Sequence, residues 1–338
     1  MKYKIVVIFL AVLIFSTGYL VYNHNSDEVE SELKTFKETR SLMDTTVTIQ
    51  IRDDNKNHAE ESIDRAFDKM LQSEKLMSAY DENTQLYKLN ERGFFKNTSP
   101  ELVYIIEKSQ HYHDISNGAF DITAKPIIDL WESKFAPDGP QKPPTDKEIN
   151  DTLDHVNISN VTIDATDIYM EKDMGITLGG VAKGFAVDKA IESLKEDSIE
   201  HGFVNAGGDG KYIGYREGHE KWRIGLQNPD KGGEYITKMN LHNMSVATSG
   251  NYERYYNDSI DASHIVDPRT GKSTSKIISS TVIAKTAMDA DAYSTSVFVL
   301  GEEKGLEMIE QLDNVECLII TSNRSIVRSS GFDKYENE

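Results

Sequence analysis

A single cysteine in 338 residues leaves no internal disulfide to be made. Cys317 stands in the apolar run VECLII, where it reads as a small buried hydrophobe. With one thiol, the four-cysteine ligand set of an iron–sulfur cluster cannot be assembled either, and no haem-ligand motif is recognisable. A basic excess is also missing: 37 Lys and Arg face 56 Asp and Glu, a formal charge of −19. A surface of that sign repels phosphate backbones, which argues against nucleic acid as a partner, and it keeps a chain soluble. No segment repeats. What remains, 38% hydrophobic and 28% charged residues, is the composition of a globular chain able to bury a sizeable core, as one large unit if not two.

The long apolar runs are confined to one place. MKYKIVVIFLAVLIFSTGYLVY carries Lys2 and Lys4 and is then apolar from Ile5 to about Tyr22, enough to cross a hydrocarbon core. Its leading charges favour a cytoplasmic N-terminus, which places the chain at the cell membrane with the domain that follows extracytoplasmic. Two readings stay open, a cleaved signal peptide and an uncleaved signal anchor; no small-x-small site precedes Asn23, which favours the anchor. No cysteine follows the run, which excludes a lipid on cysteine. The expected map is an anchor or signal peptide over 1–22, a polar acidic tether over 23–37, one domain over 38–331 and a charged tail over 332–338.

Within the domain, SLMDTTVTIQIR alternates as a strand, and HAEESIDRAFDKMLQSEKLMSAY places Ile63, Phe67, Met70, Leu71 and Leu76 at helical period. Further helices fit 100–116 and 288–299, the glycine-rich stretch at 177–189 leads into another that runs to about 196, and DGPQKPPTDKE reads as a surface loop. Strands fit FVNAGG, YIGYRE, WRIGLQN, YITKMNL, SVATSG, HIVD, IISSTVIAK, VECLIITSN and RSIVRSS. Strands and helices intersperse without a βαβ rhythm, which predicts α+β architecture with mixed or antiparallel sheets and flanking helices.

Three stretches could carry chemistry. In TLGGVAKGFAVDK, Gly179, Gly180 and Gly184 precede or open a helix, with Lys183 one turn inside. That is either a plain helix-start turn or a place where exposed amides meet an anion. In AMDADAYSTSVF, Asp291 and Thr295 share a helix face. They are hard oxygen donors suited to Mg²⁺ or Ca²⁺, or else an acid at a helix start and a solvated threonine. In SHIVDPRTGK, His264 precedes a turn and could serve as a general base or be structural. NAGGDG, VATSGNYERYY and GAFDIT are small-residue turns with polar neighbours.

Taken in order, AYDENTQLYKLN, GAFDITAKPIIDLW, TLGGVAKGFAVDKA, VNAGGDGKYIG, WRIGLQNP, VATSGNYERYY, HIVDPRTGK and AMDADAYSTSVFVLG closely resemble the ApbE family, the FAD:protein FMN transferases, from about Ser41 to Gly301. The resemblance implies a two-lobed α+β enzyme that binds FAD, uses Mg²⁺ and moves FMN onto a Thr or Ser hydroxyl of a target protein, releasing AMP. The target would be an exported or membrane redox protein. At matching positions, Asp291, Thr295 and the Gly180 carbonyl look like metal ligands and Lys183 like a pyrophosphate contact. Met43, Tyr80, Ala119, Phe120, Asp121 and Ile265 match positions lining the FAD site, and His264 looks like the base. Thr177 stands where the family usually has an Asp that contacts FAD, which implies an altered grip on the cofactor. Two alternatives stay open: a Mg²⁺-dependent FAD pyrophosphatase giving FMN and AMP, disfavoured by the tyrosine at position 80, and a non-catalytic flavin-binding protein tethered to the membrane.

Overall fold

The structure, a computed structural model, describes residues 33–230, 233–251, 255–257, 262–263 and 265–336. The expected membrane segment over 1–22, most of the tether and His264 lie outside the described residues.

Eight strands form one sheet in chain order: β1 (Lys34–Leu42), β2 (Thr45–Asp53), β3 (Gly202–Ala206), β4 (Asp209–Ile213), β5 (Met244–Gly250), β6 (Ile277–Ala284), β7 (Glu316–Thr321) and β8 (Ile326–Arg328). Every neighbouring pair is antiparallel, so the α+β expectation takes its antiparallel form here. Alternation decides the face: Val47, Ile49 and Ile51 of β2 are fully buried. They pack with Ile63, Phe67 and Met70 of helix α1 (Lys56–Met77). β7 is buried along its whole length, as expected of a strand covered on both faces.

The connection from β2 to β3 holds α1, α2 (Gln85–Arg92), α3 (Pro100–Ile115), α4 (Lys125–Phe135), α5 (Asp146–Leu153) and α6 (Ala182–Glu196). It also holds a small antiparallel sheet of Phe94–Phe95, Asp167–Tyr169 and Thr162–Asp164. Two more helices, α7 (Ala287–Leu300) and α8 (Glu302–Ile309), join β6 to β7. Leu86, Leu102 and Ile106 of the insert share one core with Val297 and Phe298 of α7, so the two lobes are packed together around that helix. α7 is buried nearly all round. Its polar residues therefore need partners inside the protein or in a ligand.

Several boundaries move. The single strand expected over SLMDTTVTIQIR is a hairpin bent at Met43 and Asp44, both with positive φ (53° and 56°), the geometry of a two-residue primed turn. β1 begins at Lys34, inside the stretch read as tether, because KTFKETRSL is an edge strand whose polar residues conceal its alternation. Its Phe36 and Leu42 pack on the core, and the Arg40 guanidinium lies 4.2 Å from the Phe67 ring centre. The loop expected over DGPQKPPTDKE ends early: Thr145 and Glu148 form a reciprocal capping box that opens α5. The strand expected at YIGYRE stops at Ile213, since Gly214 turns the chain with φ 55° and gives its N–H to Asn243 Oδ1. Nor do residues 332–336 behave as a free tail. Phe332 is fully buried, and Arg328 holds Glu336 by two bonds of 2.8 and 2.9 Å.

Candidate active site

The glycines of TLGGVAKGF have two distinct jobs. A Cβ on Gly184 would stand 2.3 Å from the Ala287 carbonyl oxygen, so α6 and α7 cross backbone to backbone there. The Gly184 N–H donates to Asp291 Oδ2 at 3.0 Å across that crossing. A Cβ on Gly180 would meet Phe120 Cε2 at 2.9 Å and Thr295 Oγ1 at 3.5 Å. Gly180 thus sits beside Thr295 at the mouth of α6, with the Phe120 ring against it. The tight turn itself is Leu178–Val181, whose Leu178 carbonyl accepts from Val181 and Ala182 N–H.

Asp291 is 5% exposed. Burial first, and the charge of Asp209 second, raise its pKa well above the ordinary carboxylate range; Lys183 and the Gly184 N–H pull the other way. Lys183 Nζ lies 2.6 Å from Asp209 Oδ2, but out of line for a hydrogen bond, so this buried oxygen accepts none among the described residues. The other Asp209 oxygen accepts from Thr248 N–H at 3.2 Å. Thr295 Oγ1 is 3.3 Å from Ser249 Oγ, which is 2.8 Å from Ser294 Oγ. The ends of β4 and β5, the start of α6 and one face of α7 therefore meet at two acids, one lysine and a row of hydroxyls.

Asp289 and Asp291, both acids of the AMDADA segment, are separated by their partners. Asp289 accepts from Tyr112 Oη (2.7 Å) and Thr286 Oγ1 (2.5 Å) and lies 3.5 Å from Lys108, so it is spent on structure. Asp188 of α6 caps the start of α7, accepting from Ala287 N–H and Met288 N–H, and also holds Lys211.

The other expected residues surround this cluster at different ranges. Thr177 N–H donates to the Ile122 carbonyl at 2.8 Å, which ties it to the Ala119–Thr123 turn. Ala119 and Phe120 are buried. Asp121 is buried with both oxygens committed to the protein: Oδ1 accepts from Thr123 N–H and Oγ1, and Oδ2 from Ile158 N–H. It also lies 3.2 Å from His113 Nδ1, and this polar contact, with the carboxylate's charge behind it, raises that imidazole's pKa against the effect of burial. Asp121 thus shapes the turn. Met43 donates its N–H to Glu74 at 3.0 Å. Ile265, next in sequence to His264, is half-buried against the large core. Tyr80 is 78% exposed; its ring lies 5.7 Å from Lys125 Nζ, and the Lys125 stem passes Gly175, two residues before Thr177.

Asp209, Ser249 and Thr248 were missed as site residues, although NAGGDG and VATSG stood out as small-residue turns. An acid inside a glycine turn was the available signal. Asn90 gave none: it brackets Ile176 with bonds of 2.7 and 2.9 Å and fixes the approach to the glycine turn.

A hard divalent cation fits this donor set. One carboxylate, one hydroxyl and a carbonyl at a glycine turn are oxygen donors only, and the buried Asp291 carboxylate sits beside the Asp209 charge, so two crowded acids share the single lysine at this place. Among the described residues, no three His, Cys, Asp or Glu side chains gather as a metal site, so such an ion draws on neutral oxygens as well.

Residues 43–319 match the ApbE family. The FAD:protein FMN transferase of Haemophilus influenzae is 30% identical over 273 residues, covering 76% of this chain and 78% of the relative. That of Escherichia coli K12 is 29% identical, covering 70% of each. The fold is similar to the crystal structure of the ApbE protein from Thermotoga maritima, with a TM-score of 0.83 and 29% identity over 90% of this chain and all of that one. The flavin transferase ApbE from Vibrio cholerae gives 0.74 and 25% over 90% and 99%.

Proposed function

The chain belongs to the ApbE family, and from that premise we propose that it transfers FMN from FAD to a Thr or Ser hydroxyl of an exported or membrane protein, releasing AMP. The observation that carries the reading is the meeting of Gly180, Asp291 and Thr295 beside the Lys183–Asp209 pair. Asp291, Thr295 and the Gly180 carbonyl would hold Mg²⁺, which when bound supplies charge neutralisation to a pyrophosphate.

The chain's own residues do the rest. Lys183 carries a positive charge at the start of α6, held by Asp209, where a diphosphate can approach the glycine turn without meeting a Cβ. Phe120 and Met43 line the cleft, and Asp121 fixes the turn that presents Phe120. The acceptor oxygen attacks the phosphorus on the riboflavin side, the bond to the AMP oxygen breaks, and the hydroxyl proton passes to a base assigned by resemblance to His264. General base help is worth about 10² to 10⁴-fold. The apolar run over 5–22 would hold the domain at the extracytoplasmic surface of the cell membrane, near a membrane-bound acceptor.

The test is mass spectrometry of a candidate acceptor incubated with FAD, Mg²⁺ and enzyme. An FMN-sized addition on Thr or Ser, absent without Mg²⁺, is expected. AMP release at the same rate with no acceptor present would replace transfer by hydrolysis.

A further inference from the structure

A second cluster of cations lies at the opposite end of the β1–β2 hairpin from Met43. Arg52, Arg216 and Arg223 line a cavity of about 240 Å³ floored by Trp222, with Gln50 and Glu217 on its walls. Lys37 faces Gln50 across the β1–β2 register and so shares that face of the sheet. In a chain of charge −19 this is a local reversal of sign. Two of the arginines are partly compensated: Glu220 pairs with Arg216 and lies 3.7 Å from Arg223. Arg52 is not. Among the described residues its guanidinium makes one hydrogen bond, a long 3.4 Å contact to the Arg216 carbonyl, no carboxylate pairs with it, and its Nε is buried with no acceptor, as is that of Arg216. Trp222 is fixed by its indole N–H to the Ile213 carbonyl at 2.9 Å and by the Phe203 ring edge at 5.2 Å. Planar guanidinium forks over a rigid aromatic floor form a receptor for a phosphate anion.

The position says which phosphate. The cavity opens beside Thr35, at the N-terminal end of β1, and only residues 23–33 separate β1 from the apolar run. Eleven extended residues reach at most about 40 Å, so this end of the domain is the one held closest to a bilayer. An acidic domain is repelled by an anionic membrane, and a basic face at the point of attachment reverses that repulsion locally. We propose that Arg52, Arg216 and Arg223, over Trp222, bind the phosphodiester of an anionic phospholipid headgroup and so orient the domain on the membrane. The choice of a lipid source rests on reading residues 5–22 as a membrane segment; the anion site itself does not.

The test uses the full chain in phosphate-free neutral detergent, titrated with glycerophosphoglycerol, glycerophosphocholine and inorganic phosphate, and read by broadening of the ³¹P line. Glycerophosphoglycerol is expected to bind saturably and the choline diester at least 10-fold more weakly. Arg52→Gln, and separately the exposed Arg223→Gln, should each weaken the first by about 10-fold with FMN transfer unchanged, while Lys183→Gln leaves it intact. Binding insensitive to both arginine variants overturns the site. Inorganic phosphate binding as tightly as the anionic diester overturns the lipid assignment. Alkaline carbonate extraction of membranes tests the anchor separately: loss of the protein to the soluble fraction would remove the lipid source and leave the anion measurement standing.

Discussion

Asp291 is buried against a second carboxylate, and the metal-free protein must hold it at a cost. An acid whose pKa is raised on folding binds more protons folded than unfolded. The contribution of Asp291 to the stability of the metal-free chain is therefore full below the ordinary Asp pKa of about 3.9 and is lost as the pH climbs from there through the raised value. A divalent cation takes the proton's place. Mg²⁺ is thus expected to raise Tm more at pH 8 than at pH 5.5, and Asp291→Asn to abolish that Mg²⁺ shift, with the metal-free variant at least as stable as wild type at pH 8. An undiminished Mg²⁺ shift in the variant, read by differential scanning fluorimetry, would remove Asp291 from the metal. Thr177 gives a second residue-scale expectation. Its hydroxyl is 3.5 Å from the Gly179 N–H, at the edge of bonding, and it carries no charge. Thr177→Asp should lower the KM for FAD about 3- to 10-fold with kcat little changed, since a charged acceptor makes stronger bonds; a fall in kcat with KM unmoved would contradict a role in cofactor grip.

The crossing of α6 and α7 holds the site together, and it depends on an absence of atoms. Gly184→Ala puts a methyl 2.3 Å from a backbone oxygen and 2.7 Å from the Met288 Cα, neither of which can swing aside. The helices must separate, at about 1–3 kcal/mol or more, and the Gly184–Asp291 bond goes with them. Chemical denaturation should show that loss, and FMN transfer should drop by more than the loss of folded protein explains. Asp188→Ala, which removes two α6-to-α7 hydrogen bonds at the first turn of α7 while leaving its Thr286 N-cap and the close approach at Gly184, should cost about 1–3 kcal/mol and serve as a comparison that loosens the pair without driving it apart. Both helices were legible in the sequence, because apolar period and glycine punctuation are local. What was not legible is that Gly184 faces Ala287, a contact between residues about a hundred positions apart. α5 was hidden for a different reason: its Thr145–Glu148 box follows two prolines, and the prolines dominated the reading. The acids were legible as acids, but the sorting of Asp289 into structure and Asp209 into the site depends on which neighbours the fold brings, Tyr112 and Lys108 for one, Lys183 and Asp291 for the other. Most site roles came from resemblance to a family, not from periodicity or spacing.

At the scale of the whole molecule, everything described for the candidate active site is built from residues between β1 and the docked 3₁₀ turn Phe332–Tyr335. In the proposed reading the apolar run contributes place rather than chemistry. A short tether raises the effective concentration of two partners on one surface to the millimolar range, and the basic cavity around Arg52 would restrict orientation as well. A chain starting at Asn23 is therefore expected to keep its Tm and to modify a soluble acceptor fragment within about 2-fold of the full chain. Against the same acceptor embedded in vesicles at nanomolar enzyme, it should be slower by at least 10-fold, because each encounter must then come from solution and against the repulsion of a domain whose formal charge, without Lys2 and Lys4, is −21. Raising the salt should narrow that gap from the truncated side, since screening removes the repulsion. Equal rates for the two chains on vesicles at low salt would mean that the acceptor is reached from solution and that residues 1–22 serve export alone.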